Sequence, residues 1–111
     1  MSAHRIIYSP GVPSSIQNVF LNLKDPTCRE QIMWREVAAR AILDALGHTG
    51  ISEKPYHNRT VREARNWFKF ADGNPDALGP IFAFDCADIE LSSIYKDIIN
   101  AKPFLYEETG K

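Results

Sequence analysis

The chain has 111 residues, 44% of them hydrophobic and 24% charged, with a formal net charge of −1. That size and balance fit one folded domain over 1–111 and exclude a disordered chain; the near-neutral charge offers nucleic acid no global field, only local patches. No apolar run approaches the ~20 residues of a membrane span, and Met1-Ser2-Ala3-His4-Arg5 lacks the apolar stretch of a secretory signal, so the expectation is a cytoplasmic protein with no membrane partner.

Residues 1–13 read as an extended arm. Arg5-Ile6-Ile7-Tyr8 is short, β-branched and aromatic, and Ser9-Pro10-Gly11-Val12-Pro13 closes it with turn chemistry. Two readings stand for Ser14 to Leu23. Ile16, Val19, Phe20 and Leu23 fit helical spacing, whereas Asn18 to Leu23 also fits a strand paired with residues 5–8; the short helix is preferred. Asp25-Pro26 then breaks the chain. Thr27, three residues before Glu30, has the capping-box pattern, which predicts a helix to about Leu46 with Gly47 in the left-handed conformation beyond it. Its apolar positions, Ile32, Met33, Trp34, Val37, Ala38, Ala41, Ile42, Ala45 and Leu46, cover more than one stripe and predict a central helix packed on two sides.

Residues 47–59 read as a loop. A second capping box, Thr60 to Glu63, opens a helix bearing Val61, Ala64, Trp67, Phe68 and Ala71 on one face, stopped by Asp72-Gly73-Asn74-Pro75. Pro80 suits the first turn of a third helix, Ile81 to about Ile89. A serine cap at Ser92 or Ser93 then starts a fourth, with Leu91, Ile94, Tyr95, Ile98 and Ile99, ended by Lys102-Pro103. The tail, 104–111, opens with Phe104-Leu105-Tyr106 and is too apolar at its start for water, so it should dock on the body. The fold class expected is therefore all-α: a compact bundle of four to five short helices, with a helix-turn-helix-like C-terminal pair and an extended N-terminal arm. Its core should rest on Trp34, Val37, Ala41, Trp67, Phe68, Phe82, Ile94 and Ile98.

No glycine-rich phosphate loop, paired finger cysteines or His-Glu-x-x-His arrangement occurs, which points away from an enzyme and calls for no metal or cofactor. Cys28 and Cys86 lie in helical stretches and read as buried free thiols. His48 sits at the negative end of its helix, and His4 and His57 read as solvated. Asp85 and Asp88, one turn apart, share a face that reads as solvated and acidic.

Charge separation is the more informative pattern. Lys54, Arg59, Arg62, Arg65 and Lys69 stand against Glu53 and Glu63, and Arg62, Arg65 and Lys69 are spaced along one side of a helix; Phe70 to Leu91 carries Asp72, Asp76, Asp85, Asp88 and Glu90 and no base. Either the two ridges pair with each other or each meets a partner. Ile81 to Ile98 has the order of a helix-turn-helix, whose second helix enters the major groove. That helix offers Ser92, Ser93, Lys96 and Asn100 but also Asp97. A regulator bound to DNA would therefore use Arg59, Arg62, Arg65, Lys69 and Lys96, with Arg5 on the arm probing a groove. The alternative is an adaptor or inhibitor that binds a host protein through Asp85, Asp88 and Phe104, or a self-associating module forming a homodimer.

From Trp34 to Ile99, more than half of the chain, the sequence resembles small proteins encoded by bacteriophages and prophages, mostly of unassigned function. The resemblance is carried by Trp34, Val37 and Ala41-Ile42-Leu43-Asp44-Ala45, by Glu63-Ala64-Arg65-Asn66-Trp67-Phe68, and by Phe82, Phe84, Cys86, Ile89 and Ile94. After the cysteine the group shows a Leu-Gly-Leu-Asp-Pro-like turn where this chain has Ala87-Asp88-Ile89-Glu90-Leu91-Ser92. Because these are mostly core positions, the resemblance implies a shared helical fold and a phage-type regulatory role more than a particular activity.

Overall fold

In the computed structural model, which describes residues 3–70 and 79–106, the chain winds through α1 (Ala3–Ile6), α2 (Ser14–Leu21), α3 (Arg29–Leu46), α4 (Lys54–Phe70), α5 (Pro80–Ala87), a 3-10 turn (Leu91–Ser93) and α6 (Tyr95–Asn100). The domain is an all-α bundle built around α3, which packs against α1, α4 and α5 and touches α6. Its inner face is rich in alanine: Ala38, Ala39 and Ala45 are buried with Ile42, Leu43 and Leu46, and small side chains let neighbouring helices approach closely. Around it, Ile7, Ile16, Phe20, Phe68, Phe84, Ile94 and Ile98 complete the core.

The ends of α3 follow from local chemistry. Gly47, at φ 93°, allows the Schellman closure in which Gly47 N–H donates to Asp44 O at 3.1 Å and His48 N–H to Leu43 O at 2.8 Å. At the other end the Thr27–Glu30 capping box does not form. The helix starts one residue later, Cys28 takes the N-cap position without a side-chain bond, and Gln31 Oε1 accepts the Thr27 N–H at 2.9 Å. Cys28 is therefore exposed rather than buried, and Cys86 is half-buried; both thiols are free.

The N-terminal segment is not an extended arm. Residues 3–6 form a helical turn continued by Ser9 N–H donating to Ile6 O at 2.9 Å, and Ile7 is fully buried, so the apolar pair that suggested a strand is an anchor instead. Residues 14–21 are helical as preferred, with Ile16 and Phe20 inward. Gln17 Nε2 donates to Val12 O at 3.0 Å and Ser9 O at 3.3 Å, tying down the loop between these helices.

The largest shift from expectation lies in α4, which begins at Lys54, well before Thr60. Pro55 belongs to its first turn, where a missing N–H has no intrahelical partner to lose, so it starts the helix instead of marking a loop. Thr60 is interior, and His57 and Asn58 are buried on the inner face instead of solvated in a loop. Ala71 and the stop signal at 72–75 lie outside the described residues.

Pro80 opens α5 as expected, but the helix closes at Ala87, two residues short of Ile89. Asp88 adopts the left-handed conformation (φ 61°), and Ile89 N–H donates to Phe84 O at 2.9 Å, the same closure as after α3 without a glycine. Register on this short helix turns Ala83, Phe84 and Ala87 inward. Phe82, expected in the core, lies exposed with its ring edge-on to Trp34 at 5.4 Å. Val37 is exposed too, as are Ile32 and Met33, while Trp34, Ala41 and Trp67 pack half-buried at the core's margin.

After Glu90 the helix-turn-helix order is retained, but its second arm is a 3-10 turn, a break at Ile94, and six residues of α6. Neither serine caps it, since Ser93 Oγ donates to Glu90 O at 2.7 Å and Ser92 Oγ to the Glu90 carboxylate at 3.1 Å.

Candidate functional site

Charge on α4 divides between two sides of the helix. Arg65 points inward: its Nη1 donates to Ala45 O at 3.1 Å and Ile98 O at 3.2 Å, and its Nη2 donates to Ile99 O. These carbonyls belong to the C-terminal turns of α3 and α6, where carbonyls lack intrahelical donors and the helix dipole is negative. The guanidinium's fork of donors serves both ends at once, which makes Arg65 a shared C-cap rather than a ligand for an external phosphate. Of the other basic residues expected to meet nucleic acid, Arg59, Arg62 and Lys69 are exposed on α4, and the Arg59 guanidinium lies 5.3 Å from the Tyr56 ring centre. Lys96 is exposed on α6, beside Asp97, whose carboxylate accepts the Ser15 hydroxyl at 2.8 Å and ties α2 to α6.

The residues expected to meet a protein partner do not converge. Asp85 and Asp88 are exposed at the end of α5, where the Ala87 carbonyl accepts from Arg35 in the first half of α3, whereas the exposed Phe104 lies against Gly47 beyond the far end of α3, next to His57. Among the described residues no group of three His, Cys, Asp or Glu side chains is placed to hold a metal ion, and no helix is long and apolar enough to cross a membrane.

A different surface is shaped to receive a ligand. Residues 47–53 turn α4 back against α3, and between the two helices runs an open groove of about 680 Å³. Val37 and Ala41, one turn apart on α3, and Ala64 and Trp67, three apart on α4, give it an apolar floor; Glu36, Arg40, Asp44, Thr60 and Glu63 form the rim. The cleft stays open because alanines occupy both sides of its floor. Trp67 forms one wall, its ring edge-on to Phe68 at 5.2 Å, and lies so close to Gly79 that a Cβ there would come within 2.6 Å of the indole nitrogen.

Three carboxylates on that rim face one guanidinium, so its field is net acidic. Arg40 is committed locally: Nε donates to Asp44 Oδ1 at 3.1 Å and Nη2 to His48 O at 2.6 Å. Burial pushes the Asp44 carboxyl above its ordinary value, opposed by the charge and hydrogen bond of Arg40 and by His57.

The second apolar stripe of α3 was the available sequence signal for this groove. Val37 and Ala41 belong to the positions that imply packing on two sides; α3 does pack against both α5 and α4, and these two residues line the groove left on its α4 side. Comparison with protein-family models, curated proteins and solved structures finds no match to this chain. The class defined by fold and surface is thus an all-α bundle with an acidic-rimmed interhelical groove.

Proposed function

We propose that this chain is a small non-enzymatic regulatory protein, of the phage-encoded type its sequence resembles, that binds a partner protein by receiving an amphipathic helix in the α3/α4 groove. The supporting observation is the groove itself: an apolar floor of Val37, Ala41, Ala64 and Trp67 left open between two helices, inside a rim whose charges are mostly negative. Helix-in-groove recognition needs an apolar trough for anchors spaced at i, i+3/i+4 and i+7, and the rim selects the flanks. An acidic rim favours a helix whose apolar stripe is bordered by Lys or Arg.

DNA is the weaker reading. Arg65 caps two helices, Asp97 occupies the short α6, and the exposed bases left on α4 are Lys54, Arg59, Arg62 and Lys69. The test titrates labelled amphipathic peptides, one Leu/Lys and one Leu/Glu, against the protein and against Ala41→Glu and Ala64→Glu. Saturable binding of the Leu/Lys helix that both substitutions abolish, at unchanged melting temperature, supports the reading. Equal binding by the substituted proteins removes the groove from consideration, and salt-dependent binding of duplex DNA in its place would restore the regulator of DNA.

A further inference from the structure

Away from the groove, residues 104–106 cross the start of α4. They run without helical structure and are held through their main chain, with the Phe104 and Tyr106 rings packed edge-on to His57 at 5.6 and 5.0 Å. Asn58 reads both backbone groups of Tyr106: its Nδ2 donates to the Tyr106 carbonyl at 2.9 Å, and its Oδ1 accepts the Tyr106 N–H at 3.0 Å. Alongside, His57 Nε2 lies 2.8 Å from the Phe104 carbonyl. A carbonyl only accepts, so Nε2 donates; on the other side of the ring Nδ1 shares a hydrogen bond with the Thr49 hydroxyl at 2.6 Å, and the Ile51 N–H donates to that hydroxyl oxygen at 3.1 Å.

This cradle is built and buried, with His57 only 2% and Asn58 1% exposed. Gly47 clears its floor, since a Cβ there would run into the Phe104 backbone. The strand it holds is far less enclosed. Phe104 is 57% exposed, and a cavity of about 320 Å³ lies between the strand and the 47–52 loop. Main-chain bonds thus fix the segment's position, as they do when one protein takes up a segment of another, and the rings on His57 add to the grip. Were the segment to leave, the buried donors His57 Nε2 and Asn58 Nδ2 and the acceptor Asn58 Oδ1 would each lose one of these bonds, a cost that a replacement segment would offset.

We propose that the cradle of Gly47, Thr49, His57 and Asn58 is a strand-recognition site that exchanges its own Phe104–Tyr106 segment for that of a second copy, giving a tail-swapped homodimer. The second copy is the occupant the observations favour because it brings the same Phe104–Tyr106 segment that the cradle is seen to hold. Contacts are the same in cis and in trans, so the balance rests on the short connector 101–103 and on concentration. The inference is independent of what the α3/α4 groove binds.

Complementation tests it in full-length chains. Asn58→Ala spoils the cradle and keeps the tail; Tyr106→Pro removes the donated N–H and keeps the cradle. Neither chain alone can form the full pairing, but a mixture can, through the intact cradle of one and the intact tail of the other. The expected result is hydrogen exchange at the Tyr106 amide of the Asn58→Ala chain slowed roughly tenfold on mixing, with light scattering showing a dimer. Exchange unchanged by mixing overturns the proposal. Should either variant fail to fold, the unaltered protein is titrated with a labelled peptide of residues 100–111. Saturable binding that a Tyr106→Pro peptide lacks, together with concentration-dependent dimerisation, supports exchange. No binding overturns it, and so does peptide binding by a protein that stays monomeric at every concentration, which would assign the cradle to another protein's strand.

Discussion

Along the inner side of α4, His57, Asn58 and Arg65 each reach backbone carbonyls of other segments, whereas along its groove side Thr60, Glu63, Ala64 and Trp67 line a cleft open to solvent. The inner side buries Val61 and Phe68 together with these polar groups, while an indole stands at the margin. Helix ends and an extended tail bring unpaired carbonyls into the interior, and long polar side chains are recruited to satisfy them. Residues freed from that duty border the groove proposed to receive a partner.

The comparison breaks first if the core is misplaced. Phe84→Ala should cost about 3 to 5 kcal/mol in chemical denaturation, because its ring is buried against Phe68 at 5.8 Å and truncation leaves a cavity. A loss below about 1 kcal/mol would mean the interior does not close around it. Next comes the inward charge. Arg65→Met should cost about 2 to 3 kcal/mol by stranding carbonyls of both α3 and α6, and Arg65→Lys should recover only part, since one ammonium cannot reproduce the fork. An unchanged melting temperature for Arg65→Met would return this arginine to the surface.

Trp67→Ala should be milder, about 1 to 2 kcal/mol, because the indole is half-buried at the groove wall rather than enclosed. A loss as large as that of Phe84→Ala would place Trp67 in the core and close the groove. The smallest effect concerns Asp44. Its carboxyl holds a proton more tightly folded than unfolded, so its contribution is fully present below the ordinary carboxylate value and is lost as pH rises through the higher folded value. Asp44→Asn should remove that loss, flattening the fall in stability as pH rises through this window in urea titrations. A slope identical to the parent's would contradict the burial argument.

Much of the framework was legible from local rules. The limits of α3 near Gly47, the proline start of α5 and the helical state of 14–21 follow from turn chemistry and spacing. The start of α4 was misread because Pro55 serves equally as a loop breaker and as a first-turn residue, and only the burial of His57 and Asn58 decides between them. That one displacement concealed the cradle. Phe82 and Phe84 illustrate a second limit: on a helix of two turns, hydrophobicity alone does not choose which aromatic faces in. Arg65 illustrates a third. Charge spacing places it on a basic ridge, but the carbonyls that claim it come from residues 45, 98 and 99, which only tertiary folding brings together.

Uptake of a helix by the α3/α4 groove is the event on which the proposed function depends. Trp67 reports this directly in a Trp34→Phe background, where it is the remaining tryptophan. Adding the Leu/Lys amphipathic peptide should shift its emission to the blue and saturate, while the Leu/Glu peptide should leave it unchanged. Emission that ignores both peptides would contradict the groove as the binding surface.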